Sequence, residues 1–171
     1  MLLRHHHTED ISSEAAYSTC ESYRYWLKRR WKPGPEINFI MLNPSVADEQ
    51  RNDPTVERCE RRARILEFAA FSVTNIFAWR DTDPAAMRRA PQPQGPENDD
   101  VLLQHAGKAG KVIAAWGVHG AHRQRGLEVA QMLRAQNIKL FHLGVSKNGH
   151  PRHPLYVPYR QLPQVWLDPD D

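Results

Sequence analysis

Ile37-Asn38-Phe39-Ile40-Met41-Leu42-Asn43-Pro44-Ser45-Val46-Ala47-Asp48 opens with six residues that are almost wholly apolar. A short run of this kind reads as a central strand covered on both faces, as in a parallel sheet. It stops at Asn43-Pro44-Ser45, because proline has no N–H to give to a sheet ladder. Open α/β sheets place their ligands at the carboxyl ends of their buried strands. Asn43, Pro44, Ser45 and Asp48 are therefore the first residues expected at a working site.

Moving outward, Asp53-Pro54-Thr55 has the form of a helix start, with Asp53 as the cap and Pro54 in the first turn. Val56, Cys59, Ala63 and Leu66 then fall on one stripe, and Arg58, Arg61, Arg62 and Arg64 mostly lie off it. A basic face of this sort is most simply a solvated one, with phosphate contact as the alternative. Residues 69–77, 111–116 and 138–143 are three further apolar strand candidates, separated by helical patterns at 53–67, 84–90, 98–109 and 120–135. Alternation of strands and helices predicts a three-layer α/β/α domain around a mostly parallel four-stranded central sheet. Upstream, the odd positions of 23–31 are Tyr, Tyr, Leu, Arg and Trp, which suggests an N-terminal edge strand or half of a hairpin. An aromatic segment packed beneath an exposed Arg/Lys face is the other reading. Residues 1–14 read as a flexible tail, 15–160 as one α/β domain, and 161–171 as a C-terminal tail.

The 171 residues suffice for one domain with a core of its own. A content of 40% hydrophobic and 25% charged residues is that of an ordinary globular chain. No apolar run approaches the ~20 residues of a membrane helix, and the N-terminus carries no apolar leader, so a cytoplasmic protein without a membrane partner is expected. Cys20 and Cys59 stand alone, which argues against a disulfide framework or a zinc knuckle. His5-His6-His7 has no suitably spaced acidic or Cys ligand nearby and reads as solvated tail rather than a metal site. The net charge of +3 permits a polyanionic partner without requiring one.

Distinctive polar residues follow each strand candidate. They are Asn43 and Ser45, then Asn75, then Trp116-Gly117 with His119 beyond, then a loop holding Lys147, His150, Arg152 and His153. Asparagine is commonly a turn former and a lone histidine is often a satisfied structural residue. In a parallel sheet, however, all of these ends lie along one edge. Their coincidence points to a shared cleft.

The segments MLNPSVAD, DPTVERC, VTNIFAWRDTDP, GPEND, AWGVHG and HPRHPLY resemble, in order, a bacterial family catalogued as domain of unknown function 1643. The resemblance runs from about Tyr23 to Tyr156 and carries no activity with it. A more distant likeness is to the uracil-DNA glycosylase superfamily. It rests on strand–Asn43-Pro44, strand–Asn75, strand–Trp116-Gly117 and the closing His150-Pro151-Arg152-His153-Pro154-Leu155. That resemblance implies a small parallel sheet between helices, a water-positioning Asn43, a base-reading Asn75 and a histidine in the last loop. Two His-Pro pairs leave both His150 and His153 as its counterpart.

The chemistry so implied is hydrolysis of a base–sugar bond, by way of an oxocarbenium-like sugar and a departing base anion. Asn43 would orient water, and His150 or His153 would donate a hydrogen bond to the leaving base. Asn75 would read its edge, while Phe77, Trp79 or Tyr156 would stack on it. Ser45, Lys147 and Arg152 would hold phosphates. DNA or a nucleotide is then the expected partner, and no cofactor or metal is called for. A non-catalytic nucleotide or nucleic-acid binding module would use the same pocket. A metal-dependent phosphohydrolase built from Asp48, Asp53 and Asp99 is the third reading.

Overall fold

The computed structural model describes residues 1–170. Its strands are β1 Leu2–His7, β2 Ser12–Tyr17, β3 Arg24–Arg30, β4 Glu36–Met41, β5 Ala70–Asn75, β6 Lys111–Ala114, β7 Leu140–His142 and β8 Gln164–Val165. Its α-helices are α1 Pro54–Ile65, α2 Pro84–Arg89, α3 Asn98–Lys108 and α4 Arg125–Ala135. All the strands join one sheet in the order β1-β2-β3-β5-β4-β6-β7-β8. The pairs β4–β5, β4–β6 and β6–β7 are parallel. The pairs β1–β2, β2–β3, β3–β5 and β7–β8 are antiparallel.

This corrects the expected architecture. A mostly parallel four-stranded sheet in a three-layer arrangement is not what the chain builds; it builds an eight-stranded mixed sheet in which antiparallel pairings predominate. The reason lies at the ends of the chain. Residues assigned to a flexible tail form β1 and half of β2, and β8 lies within the expected C-terminal tail. β1 reads LLRHHH and is largely exposed, so it has no apolar face for periodicity to detect, and backbone pairing to β2 holds it. β3 is an interior strand, covered by β2 on one side and β5 on the other.

β4 is buried from Ile37 onward and sends alternate side chains to two cores. Ile37, Phe39 and Met41 join Val56, Cys59 and Ala63 of α1 on one face. Ile40 and Leu42 join Leu102 of α3 and Val129, Ala130 and Leu133 of α4 on the other. The helix starts follow the sequence. Val56 N donates to Asp53 Oδ1 at 2.8 Å with Pro54 in the first turn, and Ala85 N donates to Asp83 Oδ1 at 2.9 Å. The expected helix over 120–135 begins later. Val118–Gln124 forms 3-10 turns, and Arg123 and Gln124 each have a φ of 54°, so α4 starts only at Arg125. Among the described residues, no helix is long and apolar enough to cross a membrane.

The arginines of α1 are not simply solvated. Arg58 donates to Pro154 O and Val157 O. Arg62 donates to the carbonyls of Val157, Pro158 and Gln161. Together they fasten the 154–161 segment across the helix and fix the loop that precedes it.

Candidate functional site

At the carboxyl ends of the parallel strands lies a cleft of ≈ 540 Å³. Its lining includes Asn43, Ser45, Asn75, Trp116, Gly117, His153 and Tyr156. It also includes Arg24, Asp53, Asp81, Thr82, Val118, His119 and Leu155. The strand order β3-β5-β4-β6 sets the sequence along the wall. Arg24 comes first, then Asn75 at the end of β5, Asn43 just past β4, and Gly117 just past β6.

Each polar group has a defined state. Asn43 Nδ2 donates to Asp81 O at 2.8 Å and to Pro44 O at 3.2 Å. These bonds fix which way the carboxamide is turned and leave Oδ1 as its acceptor. Asn75 is 1% exposed, and its Nδ2 has no partner among the described residues. Its backbone is held from behind, where Asn98 Nδ2 donates to Asn75 O at 2.7 Å. A buried amide donor left unpaired while lining a cavity is an incomplete hydrogen-bonding site. The His153 ring accepts from Leu155 N at Nδ1, at 3.3 Å, so in the neutral ring Nε2 carries the proton. Burial holds the His153 imidazole below its usual range, opposed by the Asp53 carboxylate. In its neutral form the ring is therefore a donor through Nε2.

Arg24 was not singled out in the sequence. It is fully buried on the cleft wall, and its Nη1 donates to Ala47 O. Burial pushes its guanidinium down to about 10, opposed chiefly by Asp53. Asp53 itself is committed to backbone, accepting from Val56 N at 2.8 Å and Ala47 N at 3.4 Å. The only sequence signal near Arg24 is the alternation of residues 23–31, whose odd positions are Tyr, Tyr, Leu, Arg and Trp, and it does not single Arg24 out.

The other expected residues separate. His150 and Arg152 line a second hollow of ≈ 320 Å³ that shares Gly117, Val118, His153 and Tyr156 with the cleft. Pro44 is buried, and its carbonyl anchors Asn43 and Asp81 N. Asp48 makes an Asx turn, accepting from Gln50 N and Arg51 N at 2.8 Å each. Phe77 is core, 5.6 Å from the His122 ring. Trp79 packs edge-on against Tyr23 at 5.6 Å, outside the cleft, and Lys147 is exposed without lining it. Trp116 shows one edge to the cleft, and its indole is crowded by Gly120 and Gly126 behind. Tyr156 stands 91% exposed at the mouth. The carboxylates named for a phosphohydrolase do separate work, since Asp99 pairs with Arg125 at 2.5 Å while Asp48 and Asp53 cap backbone. Among the described residues no group of three or more His, Cys, Asp or Glu is placed to share a metal.

A family model matches residues 24–155, which span every cleft residue named above except Tyr156. The chain belongs to the family described as Protein of unknown function (DUF1643). No curated protein and no solved structure matches the chain. The DUF1643 match begins at Arg24, so β1 and β2 lie outside it while the whole strand-end cleft, apart from Tyr156, lies within.

Proposed function

We propose that the cleft recognises a nucleobase and that the protein hydrolyses a base–sugar bond. The observation that carries this reading is the meeting of three groups in one cavity: the Asn43 acceptor, the unpaired Asn75 donor and the His153 Nε2 donor. Asn43 Oδ1 accepts a hydrogen bond from water and aims it at the anomeric carbon, without the basicity to remove a proton early. The bond to the base therefore breaks first, and His153 Nε2–H stabilises the negative charge that builds on the base. Asn75 holds the base edge through its unpaired amide donor. Water adds to the sugar, and its proton leaves with the base. His150, seated in the adjoining hollow, takes no part in this step.

The test is release of free base from DNA and nucleotides bearing uracil, hypoxanthine or modified bases. Wild-type protein is expected to release base, with Asn43→Ala and His153→Ala each reducing kcat at least 100-fold, in line with the loss of one preorganised donor or water-positioning group. No release across the panel from wild-type protein would refute hydrolysis.

One observation favours a second reading, a nucleotide-binding module without catalysis. Of the carboxylates lining the cleft, Asp53 is tied to Val56 N and Ala47 N, and Asp81 Oδ1 accepts from Asp83 N. Neither is free to act as a general base. Calorimetric binding without turnover would select this reading.

A further inference from the structure

The three most buried arginines differ in one respect. Arg125 donates to Ile76 O, Glu128 and Asp99, and Arg62 donates to three carbonyls. Arg24 is as deeply buried as either, at 1% exposed. Yet among the described residues its only hydrogen bond is to Ala47 O; its Nε has no partner, as is also true of Arg62 Nε, but Arg62 has three carbonyls on its other nitrogens. A guanidinium has five N–H donors and no acceptor, and burying its charge without counter-groups is costly. Arg125 and Arg62 answer that cost with protein oxygens; Arg24 faces a cavity. Asp53 offers charge nearby, but its oxygens are turned to the backbone of the α1 start. Arg80 and Arg29 add like charge around it.

We infer that Arg24 is an oxyanion-binding residue and that the cleft's natural ligand carries a phosphate seated against its guanidinium. The spacing fits a two-part ligand. Arg24 lies on β3 and Gly117 follows β6, three strand intervals away, or about 14 Å. A nucleotide laid along that wall places its phosphate at Arg24 and its base toward Asn43 and His153. The planar fork suits a phosphate's two oxygens better than a lysine would. This inference shares the cleft with the hydrolase reading but needs no bond cleavage.

The test is calorimetry on the full chain with the four nucleoside 5′-monophosphates, the matching nucleosides, inorganic phosphate and a dinucleoside monophosphate. At least one monophosphate should bind 10-fold or more tightly than its nucleoside, and inorganic phosphate should compete. Arg24→Gln should erase that difference, and Arg24→Lys should restore only part of it. Tighter binding of the monophosphate than of the dinucleoside diester marks a free nucleotide as the source of the phosphate; the reverse marks a polynucleotide backbone. If Arg24→Gln does not fold, the wild-type preference and the phosphate competition decide alone. Equal binding of nucleoside and monophosphate, retention of the preference in Arg24→Gln, or no binding of any probe would overturn the inference. A phosphate preference without base release would leave it standing while hydrolysis falls.

Discussion

Asn75 and Asn98 are neighbouring buried carboxamides with opposite duties, and substitution separates them. Asn98 Nδ2 holds Asn75 O at 2.7 Å and Ile76 O at 3.2 Å; Asn98→Ala removes this donor from Asn75 O, while Ile76 O keeps Arg125 Nε at 2.9 Å, and should cost about 1–3 kcal/mol of stability in urea unfolding. Asn75 Nδ2 has no partner to lose, so Asn75→Ala should cost less stability than Asn98→Ala while abolishing ligand binding. An equal loss of stability in the two variants would remove the argument that Asn75 is held open for a ligand. Glycines give a second contrast. A Cβ at Gly126 would sit 2.5 Å from Trp116 Nε1, whereas one at Gly107 in α3 meets nothing within 4 Å. Gly126→Ala should destabilise by about 1–3 kcal/mol through overpacking, and Gly107→Ala should stabilise by about 0.5–1 kcal/mol through helix propensity, both read from urea midpoints. At this scale the sequence pointed to Asn43, Asn75 and the loop holding His150 and His153 through their places after strands. It hid Arg24, because side-chain direction in an irregular strand is not set by alternation alone: the β2–β3 register shifts between Ala16 and Tyr17, beside Arg24. It could not choose between His150 and His153, because that choice depends on how Gly117 N–H, bonded to Pro151 O at 2.8 Å, draws the loop in.

Among the elements, α3 and β3 meet through a histidine. The His105 ring lies 4.9 Å from the Trp26 ring, and burial pushes it down from 6.5 to about 4. Below pH 6.5 the unfolded chain takes up a proton that the folded chain refuses until about pH 4, so stability falls as pH drops through this window. The loss from this group is on the order of 3 kcal/mol. Subtracting urea-unfolding free energies of His105→Phe from wild type between pH 7 and 4 should isolate it, and a flat difference would contradict the burial of a neutral ring. The fastening of 154–161 onto α1 makes a further prediction. Arg62→Ala should raise amide exchange at residues 153–161 at least 10-fold and leave β4 protected. Uniform exchange would mean that the segment is held by other contacts. The helix caps at Asp53 and Asp83 were legible because a cap is a local rule. β1 and β8 were not, because an exposed strand is made by pairing to a neighbour, which no local pattern records.

For the whole molecule, the mixed sheet explains how distant residues become neighbours. β5, β4, β6 and β7 run parallel and deliver their ends to one edge, and antiparallel β3 closes the row by bringing its first residue, Arg24, to that same edge. The error in the expected fold concerned the strands added around that row. The convergence of Asn43 and Asn75 depends on the row itself, and that of His153 also on the bonds from α1 and Gly117 that hold its loop. Whether the shared cavity is a nucleobase site is tested most directly by a crystal structure of the protein soaked with a nucleoside 5′-monophosphate. The account predicts density for the base between Asn43, Asn75 and His153, with the phosphate against Arg24. Ligand seated instead in the groove between Trp116, His142 and Trp166, with the strand-end cleft holding only water, would contradict it.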